Sequence, residues 1–125
     1  VAEDNLVNQR VIRGLLAKLG LTPVVANHGR EALDALETGA FDLALFDCQM
    51  PVLDGYEAAR EWRRREAASG RARLPILALT ANAIQGDRER CLEAGMDDYL
   101  TKPVRVDALR AALFRWARTN GPAAA

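Results

Sequence analysis

The chain has 125 residues, of which 50% are hydrophobic, and its 17 Lys and Arg residues balance its 17 Asp and Glu residues. A length near the commonest domain size and an ample apolar content predict one folded domain and argue against disorder. The absence of net charge argues against nonspecific attraction to nucleic acid or to a membrane surface.

Several features favour a cytoplasmic location. The apolar stretches are far shorter than the ~20 residues that span a bilayer, and no signal-peptide pattern opens the chain. Cys48 and Cys91 lack the spacing of a metal site and are predicted to be free thiols. We therefore expect a cytoplasmic domain that binds no nucleic acid and makes no direct membrane contact.

Helix-like and strand-like spacings of apolar residues alternate along the chain. The chain has only Val1 and Ala2 before the acidic residues Glu3 and Asp4, whereas a buried strand usually has about five residues. The first strand is therefore predicted to be clipped at its start. Helical spacing follows at residues 6–19, 29–38, 56–68, 84–94 and 106–117. β-Branched or continuously apolar runs predict further strands at residues 22–26, 41–46, 74–79 and 98–101. Residues 1–119 are predicted to form the domain and residues 120–125 a flexible tail.

This alternation predicts the fold class. Strands separated by helices of 10–15 residues imply right-handed crossovers and a parallel sheet that is covered on both faces. Asn5 is a suitable N-cap for the first helix, and Gly20, Gly39 and Gly95 are suitable helix terminators. The predicted architecture is a doubly wound α/β sandwich with a parallel sheet of about five strands.

Charged and polar residues stand at the carboxyl ends of the predicted strands, where ligands bind in open parallel sheets. Glu3 and Asp4 follow the first strand, Asp47 the third, Thr80 the fourth and Lys102 the fifth. Three carboxylates at one edge repel one another and need a cation or protons to neutralise them. Oxygen ligands without a Cys/His cluster favour Mg²⁺ over zinc.

This set of side chains suits phosphoryl transfer. A carboxylate such as Asp47 can form an aspartyl phosphate, while a metal ion and Lys102 neutralise charge on the transferring group and Thr80 donates a hydrogen bond to it. Each residue alone has a simpler interpretation: Asp47 as a turn residue, Thr80 as a helix cap and Lys102 as a solvated charge. Their predicted convergence favours the chemical role.

Four motifs carry a family resemblance. They are E-D-N at residues 3–5, D-C-Q-M-P-V-L-D-G at 47–55, L-T-A-N-A at 79–83 and G-M-D-D-Y-L-T-K-P at 95–103. In this order and spacing they resemble the receiver domains of response regulators in two-component signalling, the CheY-like superfamily. The runs at residues 3–9 and 96–103 are most similar to receivers of hybrid sensor histidine kinases.

The resemblance implies a flavodoxin-like sheet of strand order 2-1-3-4-5 and a role for each site residue. Asp47 would be the phosphoacceptor, and Thr80 and Lys102 would contact the phosphoryl group. Mg²⁺, or Mn²⁺ in its place, would bind to Asp4 and Asp47 directly, to Glu3 through water and to the backbone carbonyl of Gln49. The bond between Lys102 and Pro103 would be cis.

The resemblance also implies a switch and its partners. Thr80 would move toward the phosphoryl group and Tyr99 would fill the vacated space, which alters the fourth helix, fifth strand and fifth helix, roughly residues 81–117. Gln49 and Asn82 would tune dephosphorylation. The phosphodonor would be a histidine kinase or a histidine phosphotransfer domain, and the altered face would be a surface for homodimers. The domain would be a signalling switch that catalyses its own phosphorylation and dephosphorylation, and no enzyme in the usual sense.

Three alternatives remain open at this point. An aspartyl-phosphate phosphatase commonly carries an acid/base carboxylate two residues after its nucleophile, where this chain has Gln49. A flavin-binding protein of the same architecture needs a phosphate cradle after the first strand, where the carboxylates of Glu3 and Asp4 would repel phosphate. A receiver that only binds partners would keep the fold without the chemistry.

Other residues have structural interpretations. His28 is predicted to lie in a surface loop without a catalytic role, Trp62 to pack in the core, and Asp54 and Gly55 to form a turn and helix entry, with glycine supplying a positive φ. An arginine-rich segment is predicted to be a solvated face with pairs to Glu57, Glu61 and Glu66, and docking of an acidic partner is the alternative. Its members are Arg60, Arg63, Arg64, Arg65, Arg71 and Arg73.

Overall fold

The structure, a computed structural model, describes residues 1–21, 23–39, 41, 43–48, 50, 53–70, 73–80, 85–102 and 104–119, without the side chains of 85–88 and 117–119. The helices in this part are α1 (Leu6–Lys18), α2 (Gly29–Thr38), α3 (Gly55–Ser69), α4 (Gln85–Glu93) and α5 (Val106–Thr119). The strands are β1 (Ala44–Asp47), β2 (Ile76–Thr80) and β3 (Asp98–Thr101). The predicted tail at 120–125 lies outside the described residues.

The strands form one parallel sheet in the order β1–β2–β3, in which Thr80 pairs with Thr101. Ala2 extends the sheet through parallel bridges to Ala26 on one side and to Phe46 on the other. Ala2 belongs to the first predicted strand, Ala26 to the second, and β1, β2 and β3 are the third, fourth and fifth. The strand order along the sheet is therefore 2-1-3-4-5, as predicted.

The first strand is clipped, as predicted, and contains the bridging residue Ala2. The second strand is shorter than the predicted range 22–26, since Ala26 is the one residue of the described part, 23–26, that forms a β-bridge. Ala26 N donates to Val1 O at 2.7 Å and Glu3 N donates to Ala26 O at 3.0 Å. The first strand offers few residues as partners, and a parallel ladder extends only as far as its partner does.

The third and fourth strands are displaced toward their carboxyl ends relative to the predicted ranges 41–46 and 74–79, and they end at Asp47 and Thr80. Pro75 contributes only its carbonyl, which accepts from Ala44 N at 2.9 Å, because proline has no N–H to donate. The displacement places Asp47 and Thr80 inside the sheet ladder, which holds their backbones in place.

Side chains alternate between the two faces of the sheet and build a core on each. Phe46 and Ile76 join the buried cluster beneath α2, α3 and α4, which includes Trp62 as predicted. Leu45 and Leu77 join residues of α1 and α5 on the other face. This arrangement is the predicted doubly wound sandwich. None of the helices in the described ranges is both long and apolar enough to cross a bilayer.

Three helices begin at side-chain caps, which satisfy backbone N–H groups that have no partner within the helix. The Asn5 side chain accepts from the first turn of α1, as predicted. Asp54 Oδ1 accepts from Glu57 N at 2.9 Å, and His28 Nδ1 accepts from Glu31 N at 3.2 Å. His28 and Asp54 thus have structural roles at the starts of α2 and α3.

A charged network at the amino ends of the strands corrects the interpretation of one arginine. Arg63 donates to Glu66 at 2.7 Å and to Asp97 at 2.8 Å. These carboxylates also accept from the backbone N–H groups of Leu74 at 2.7 Å and Ile76 at 2.9 Å. The Arg63 side chain is only 14% exposed. The predicted solvated face is therefore wrong at Arg63, which joins α3 to the start of β2.

The other arginines of the segment agree with the prediction in part. Arg64 and Arg65 both pair with Glu61 within α3, as expected for neighbours three and four residues apart on a helix. Arg73 adds a 2.8 Å contact to Asp97. Arg71 lies outside the described residues, and docking of an acidic partner on this segment stays a prediction.

Candidate metal and phosphoryl site

The residues predicted at the strand ends lie at one edge of the sheet. Asp47 is the last residue of β1 and Thr80 is the last residue of β2. Lys102 directly follows β3, and its backbone N–H donates to Thr80 O at 2.8 Å. Glu3 follows the bridge at Ala2, which pairs with the residue before Asp47. Parallel strands end at the same edge, so the fold brings these side chains together from distant parts of the chain.

Three carboxylates form a compact acidic cluster. Glu3, Asp4 and Asp47 each present an oxygen within 4.8 Å of the others. Glu3 is 1% and Asp47 5% exposed, whereas Asp4 is exposed. Negative charges this close in a buried setting are unfavourable without a positive partner.

Lys102 supplies part of that positive charge. Its Nζ lies 2.9 Å from Asp47 Oδ2 and 3.0 Å from Glu3 Oε1. The contact with Asp47 is a hydrogen bond, whereas the buried Glu3 Oε1 makes no well-directed hydrogen bond within the described residues and interacts with Lys102 through charge. Burial alone would lower the pKa of Lys102, but Asp47 and Glu3 outweigh it and raise the pKa. Lys102 is therefore a permanent positive charge at neutral pH.

The donor set fits a divalent cation. Lys102 contacts two of the three carboxylates, and in the described part of the chain its ammonium group is the one ion-pair partner that the cluster has, so the negative charges outnumber it. All of the clustered ligand atoms are carboxylate oxygens, which hard ions such as Mg²⁺ prefer. Glu3 Oε1 has an electrostatic partner but no directed hydrogen bond among the described residues. Because Asp4 is exposed, an ion or a phosphoryl group has access from solvent.

Gly55 allows the start of α3 to approach Asp47. A Cβ atom at residue 55 would overlap the carbonyl oxygen of Asp47, and Gly55 N donates to Cys48 O at 3.3 Å. Gly55 is the first residue of α3 and is not among the glycines with positive φ. The predicted reason for this glycine, its freedom to adopt a positive φ, is therefore wrong, and close backbone packing is the reason.

The two predicted switch residues lie on adjacent strands. Thr80 is 4% exposed at the end of β2, and Tyr99 in β3 pairs with Ala78 of β2. Tyr99 is half-buried and packs against the cluster beneath α2, α3 and α4. Asn82 lies outside the described residues, as do residues 81, 83 and 84. Gln49 and Pro103 also lie outside them, so their predicted roles stay predictions.

Gln9 is a site neighbour that sequence reasoning did not single out. Its side chain is buried, with Nε2 2.6 Å from Glu3 O, the backbone carbonyl between the two acidic residues. A signal was present in the sequence, since Gln9, Ile12 and Leu16 follow helical spacing and all three are buried. A polar residue on the apolar stripe of a helix needs a buried partner.

The comparison with known proteins decides the family. Residues 1–114 match the family model described as the response regulator receiver domain. The chain belongs to this family. The receiver domain is 44% identical over 120 residues to the hybrid signal transduction protein dokA of Dictyostelium discoideum. The alignment covers 96% of the domain and 7% of dokA. It is 40% identical over 114 residues to the sensor protein GacS of Pseudomonas syringae pv. syringae. That alignment covers 91% of the domain and 13% of GacS.

Solved structures agree with this assignment. The receiver domain of sensor histidine kinase PA1611 from Pseudomonas aeruginosa PAO1, with a magnesium ion coordinated in its active site cleft, is similar at a TM-score of 0.83 and 49% identity, with coverage of 94% and 93%. A chain of the co-crystal structure of Saccharomyces cerevisiae Ypd1, a histidine phosphotransfer protein, with the receiver domain of Ssk1 has a TM-score of 0.91 and 35% identity, with coverage of 97% and 88%. These likenesses confirm the predicted fold and family and favour them over the flavin-binding and phosphatase alternatives.

Proposed function

We propose that this receiver domain accepts a phosphoryl group on Asp47 from a phosphohistidine, with a divalent cation held by the acidic cluster. One observation carries the proposal. The Asp47 carboxylate lies 2.9 Å from Lys102 Nζ and belongs to a group of three carboxylates whose oxygens lie within 4.8 Å of one another. A nucleophilic carboxylate, a fixed cation and a set of hard oxygen ligands are the parts that phosphoryl transfer to an aspartate needs.

The proposed reaction exchanges one bond to phosphorus for another. A carboxylate oxygen of Asp47 bonds to phosphorus as the phosphorus–nitrogen bond of the donor breaks, and the bonding electron pair stays with the imidazole nitrogen. Lys102 keeps its positive charge beside Asp47 throughout, and the Thr80 hydroxyl donates to a phosphoryl oxygen. A bound divalent cation supplies further neutralisation of the phosphoryl charge. The same groups would support hydrolysis of the aspartyl phosphate, in which water attacks phosphorus, the bond between phosphorus and the Asp47 oxygen breaks, and inorganic phosphate leaves. Gln49 and Asn82 are proposed to tune the rate of this step.

The proposed metal ligands are Glu3, Asp4, Asp47 and the backbone carbonyl of Gln49. The first three belong to the acidic cluster, and the magnesium ion in the PA1611 receiver domain supports this use of the cleft. Mn²⁺ also prefers oxygen ligands and is proposed as a substitute ion. The excess negative charge of the cluster favours either ion.

The proposed phosphodonor is a histidine kinase or a histidine phosphotransfer domain, as the Ypd1–Ssk1 complex suggests. The relatives dokA and GacS support the further proposal that this domain is part of a hybrid sensor kinase.

A donor imidazole must reach Asp47, so the donor has to cover the rim of the site. On that rim, α1 starts two residues after Asp4 and exposes Leu6, Val7 and Val11 at 68%, 67% and 46%. We propose that these apolar side chains contact the donor domain.

The proposed output surface consists of α4, β3 and α5. Phosphorylation adds charge and acceptor oxygens beside Thr80, and movement of Thr80 with rotation of Tyr99 would change this surface. Tyr99 already contributes to a cavity of about 130 Å³ between these elements, together with Leu92 and Trp116. The same surface is proposed to form homodimers in the phosphorylated state.

Intact mass spectrometry after incubation with acetyl phosphate and Mg²⁺ tests the proposal. We expect one added phosphoryl group on the wild type and none on Asp47→Asn. Asp54→Asn is the matched control, because Asp54 belongs to the same motif but caps α3. Phosphorylation that persists in Asp47→Asn would show that another residue is the acceptor. A wild type that takes up no phosphoryl group, also from a phosphorylated histidine phosphotransfer protein, would identify a receiver that only binds partners.

A further inference from the structure

Gln9 is a buried amide that joins α1 to the backbone of the acidic pair. The residue is 7% exposed. Its Nε2 donates to Glu3 O at 2.6 Å and to Asn27 Oδ1 at 2.9 Å. An amide nitrogen has two hydrogens, so both of the side chain's donors are used by residues at the carboxyl ends of the first two strands.

The first of these bonds holds the backbone next to Asp4. Glu3 O belongs to the peptide group that links Glu3 to Asp4, and that group is planar. Glu3 N already donates to Ala26 O at 3.0 Å, so the carbonyl bond to Gln9 fixes the residue's second backbone polar group. With both groups held, the peptide plane cannot rotate freely, and Asp4 leaves it in one direction. Asp4 is the exposed member of the acidic cluster, so the placement of its carboxylate depends on the backbone that carries it.

The second bond holds the Gln9 side chain itself in place. Asn27 Nδ2 donates to Glu31 Oε1 at 3.2 Å, which turns Asn27 Oδ1 toward Gln9. Asn27 N donates to the same Glu31 oxygen at 3.2 Å. The chain of contacts therefore runs from α2 through Asn27 to Gln9 and ends at the peptide group between the acidic residues.

We propose that Gln9 is a positioning residue for the divalent cation, acting through the Glu3–Asp4 peptide group. The inference rests on the proposed metal site and deepens it. Without the Gln9 donors, Glu3 O loses its buried partner and the Asp4 carboxylate loses its defined position relative to Asp47. Loss of a residue that orients a metal ligand typically weakens metal binding by about 10–100-fold.

The test is the dissociation constant of Mg²⁺, and separately of Mn²⁺, measured by isothermal titration calorimetry on the full chain without any phosphodonor. We expect the constant to rise about tenfold in Gln9→Leu. The matched control is Leu16→Ala, which removes a buried side chain of the same helix in the core below the site. Leu16→Ala is expected to lower the melting temperature and to leave the metal constant within about twofold of the wild type, within the scatter expected for independent sites.

If Gln9→Leu does not fold, a second variant, Asn27→Ala, tests the inference. Asn27 is exposed, and Asn27→Ala removes one anchor of Gln9 while leaving its bond to Glu3. We expect an increase in the Mg²⁺ and Mn²⁺ dissociation constants that is smaller than in Gln9→Leu but exceeds the range of about twofold allowed for the control. If the wild type binds the ions and a folded Gln9→Leu binds them equally well, this inference fails and the proposed function stands. With Gln9→Leu unfolded, an unchanged constant in Asn27→Ala overturns it. If the wild type binds neither ion, the proposed metal site fails as well.

Discussion

Lys102 Nζ lies 2.9 Å from Asp47 Oδ2, although the two residues are 55 positions apart in the chain. Asp47 ends β1 and Lys102 follows β3, the strands on either side of β2 in the same parallel sheet. The carboxyl ends of both strands lie at one edge of the sheet, where the two side chains meet. The contact places a positive charge beside the proposed acceptor before any phosphoryl group arrives. Electrostatic groups arranged in advance need no reorganisation during the reaction.

The first prediction concerns the charge of Lys102. Lys102→Met is expected to slow phosphorylation by acetyl phosphate about 100-fold, because the developing charge on the phosphoryl group loses a fixed cation. Mg²⁺ affinity should not fall, since the acidic cluster becomes more negative. Time courses by intact mass spectrometry and calorimetry of Mg²⁺ measure the two quantities.

The control for this variant is Lys18→Met, which changes the chain's other lysine, an exposed residue in the last turn of α1. It should phosphorylate at the wild-type rate. A Lys102→Met variant with an unchanged rate would contradict the proposed role. A parallel loss of Mg²⁺ affinity would instead indicate that the site had collapsed.

The second prediction concerns stability. Arg63→Met is expected to lower the free energy of unfolding by about 3 kcal/mol, because it leaves the buried carboxylate of Glu66 without its arginine and leaves Asp97 with Arg73 as its remaining arginine among the described residues. Arg64→Met is the matched control: Arg64 is adjacent on α3 with a side chain 76% exposed, and its loss should cost less than about 0.5 kcal/mol. Urea denaturation of both variants measures the difference. Equal losses would show that the Arg63 contacts add no stability.

The third prediction separates the protein donor from a small-molecule donor. Val7→Glu places a charge on the exposed apolar start of α1 and is expected to slow transfer from a phosphorylated histidine phosphotransfer protein about tenfold, since burying a charge at an interface is unfavourable. The rate with acetyl phosphate should not change, because that donor needs no docking surface. Radiolabel transfer and intact mass spectrometry measure the two rates.

Leu21→Glu controls for the added charge, because Leu21 is also exposed, at 45%, but follows the far end of α1. It should leave both rates at wild-type values. Equal slowing by Val7→Glu and Leu21→Glu would argue against a specific surface at the start of α1.

The fourth prediction uses Trp116 as a reporter of the output surface. Trp116 Nε1 donates to Asp98 Oδ2 at 3.1 Å, and Asp98 precedes Tyr99 in β3. The Trp62→Phe variant has Trp116 as its single tryptophan. Adding beryllium fluoride, which takes the place of the phosphoryl group, together with Mg²⁺ should change the fluorescence emission of Trp116 in this variant. The change should be lost when Thr80→Ala is added, because the proposed switch acts through the Thr80 hydroxyl. A change that survives in Thr80→Ala would contradict this coupling.

Much of the site was predictable from strand ends. Asp47, Thr80 and Lys102 follow or end runs of apolar residues, and parallel strands place their carboxyl ends at one edge. The strand lengths were less predictable: residues 22–26 were expected to form a strand, but among the described residues 23–26 only Ala26 forms a β-bridge. Composition indicates that a segment suits a strand, but the number of paired residues depends on how many residues of the neighbouring strand are available as partners.

The roles of Gln9, Gly55 and Arg63 needed the folded chain, because each depends on an atom far away in sequence or on a close approach of two backbones. Gly55 was expected to supply a positive φ, but it makes room for the Asp47 carbonyl. Arg63 was expected to face solvent, but it reaches Asp97, 34 residues along the chain. Helical spacing shows which face a residue occupies and does not show what lies opposite.

The amino-acid sequence by itself determined the alternation of helices and strands, the family and the identity of the residues at the strand ends, because these follow from local periodicity and short motifs. Only the tertiary structure decided how close the carboxylates lie, which of them contacts Lys102 and which buried polar side chains hold the backbone around them. Those distances are set by packing of the sheet between its two helical layers, to which distant parts of the chain contribute together.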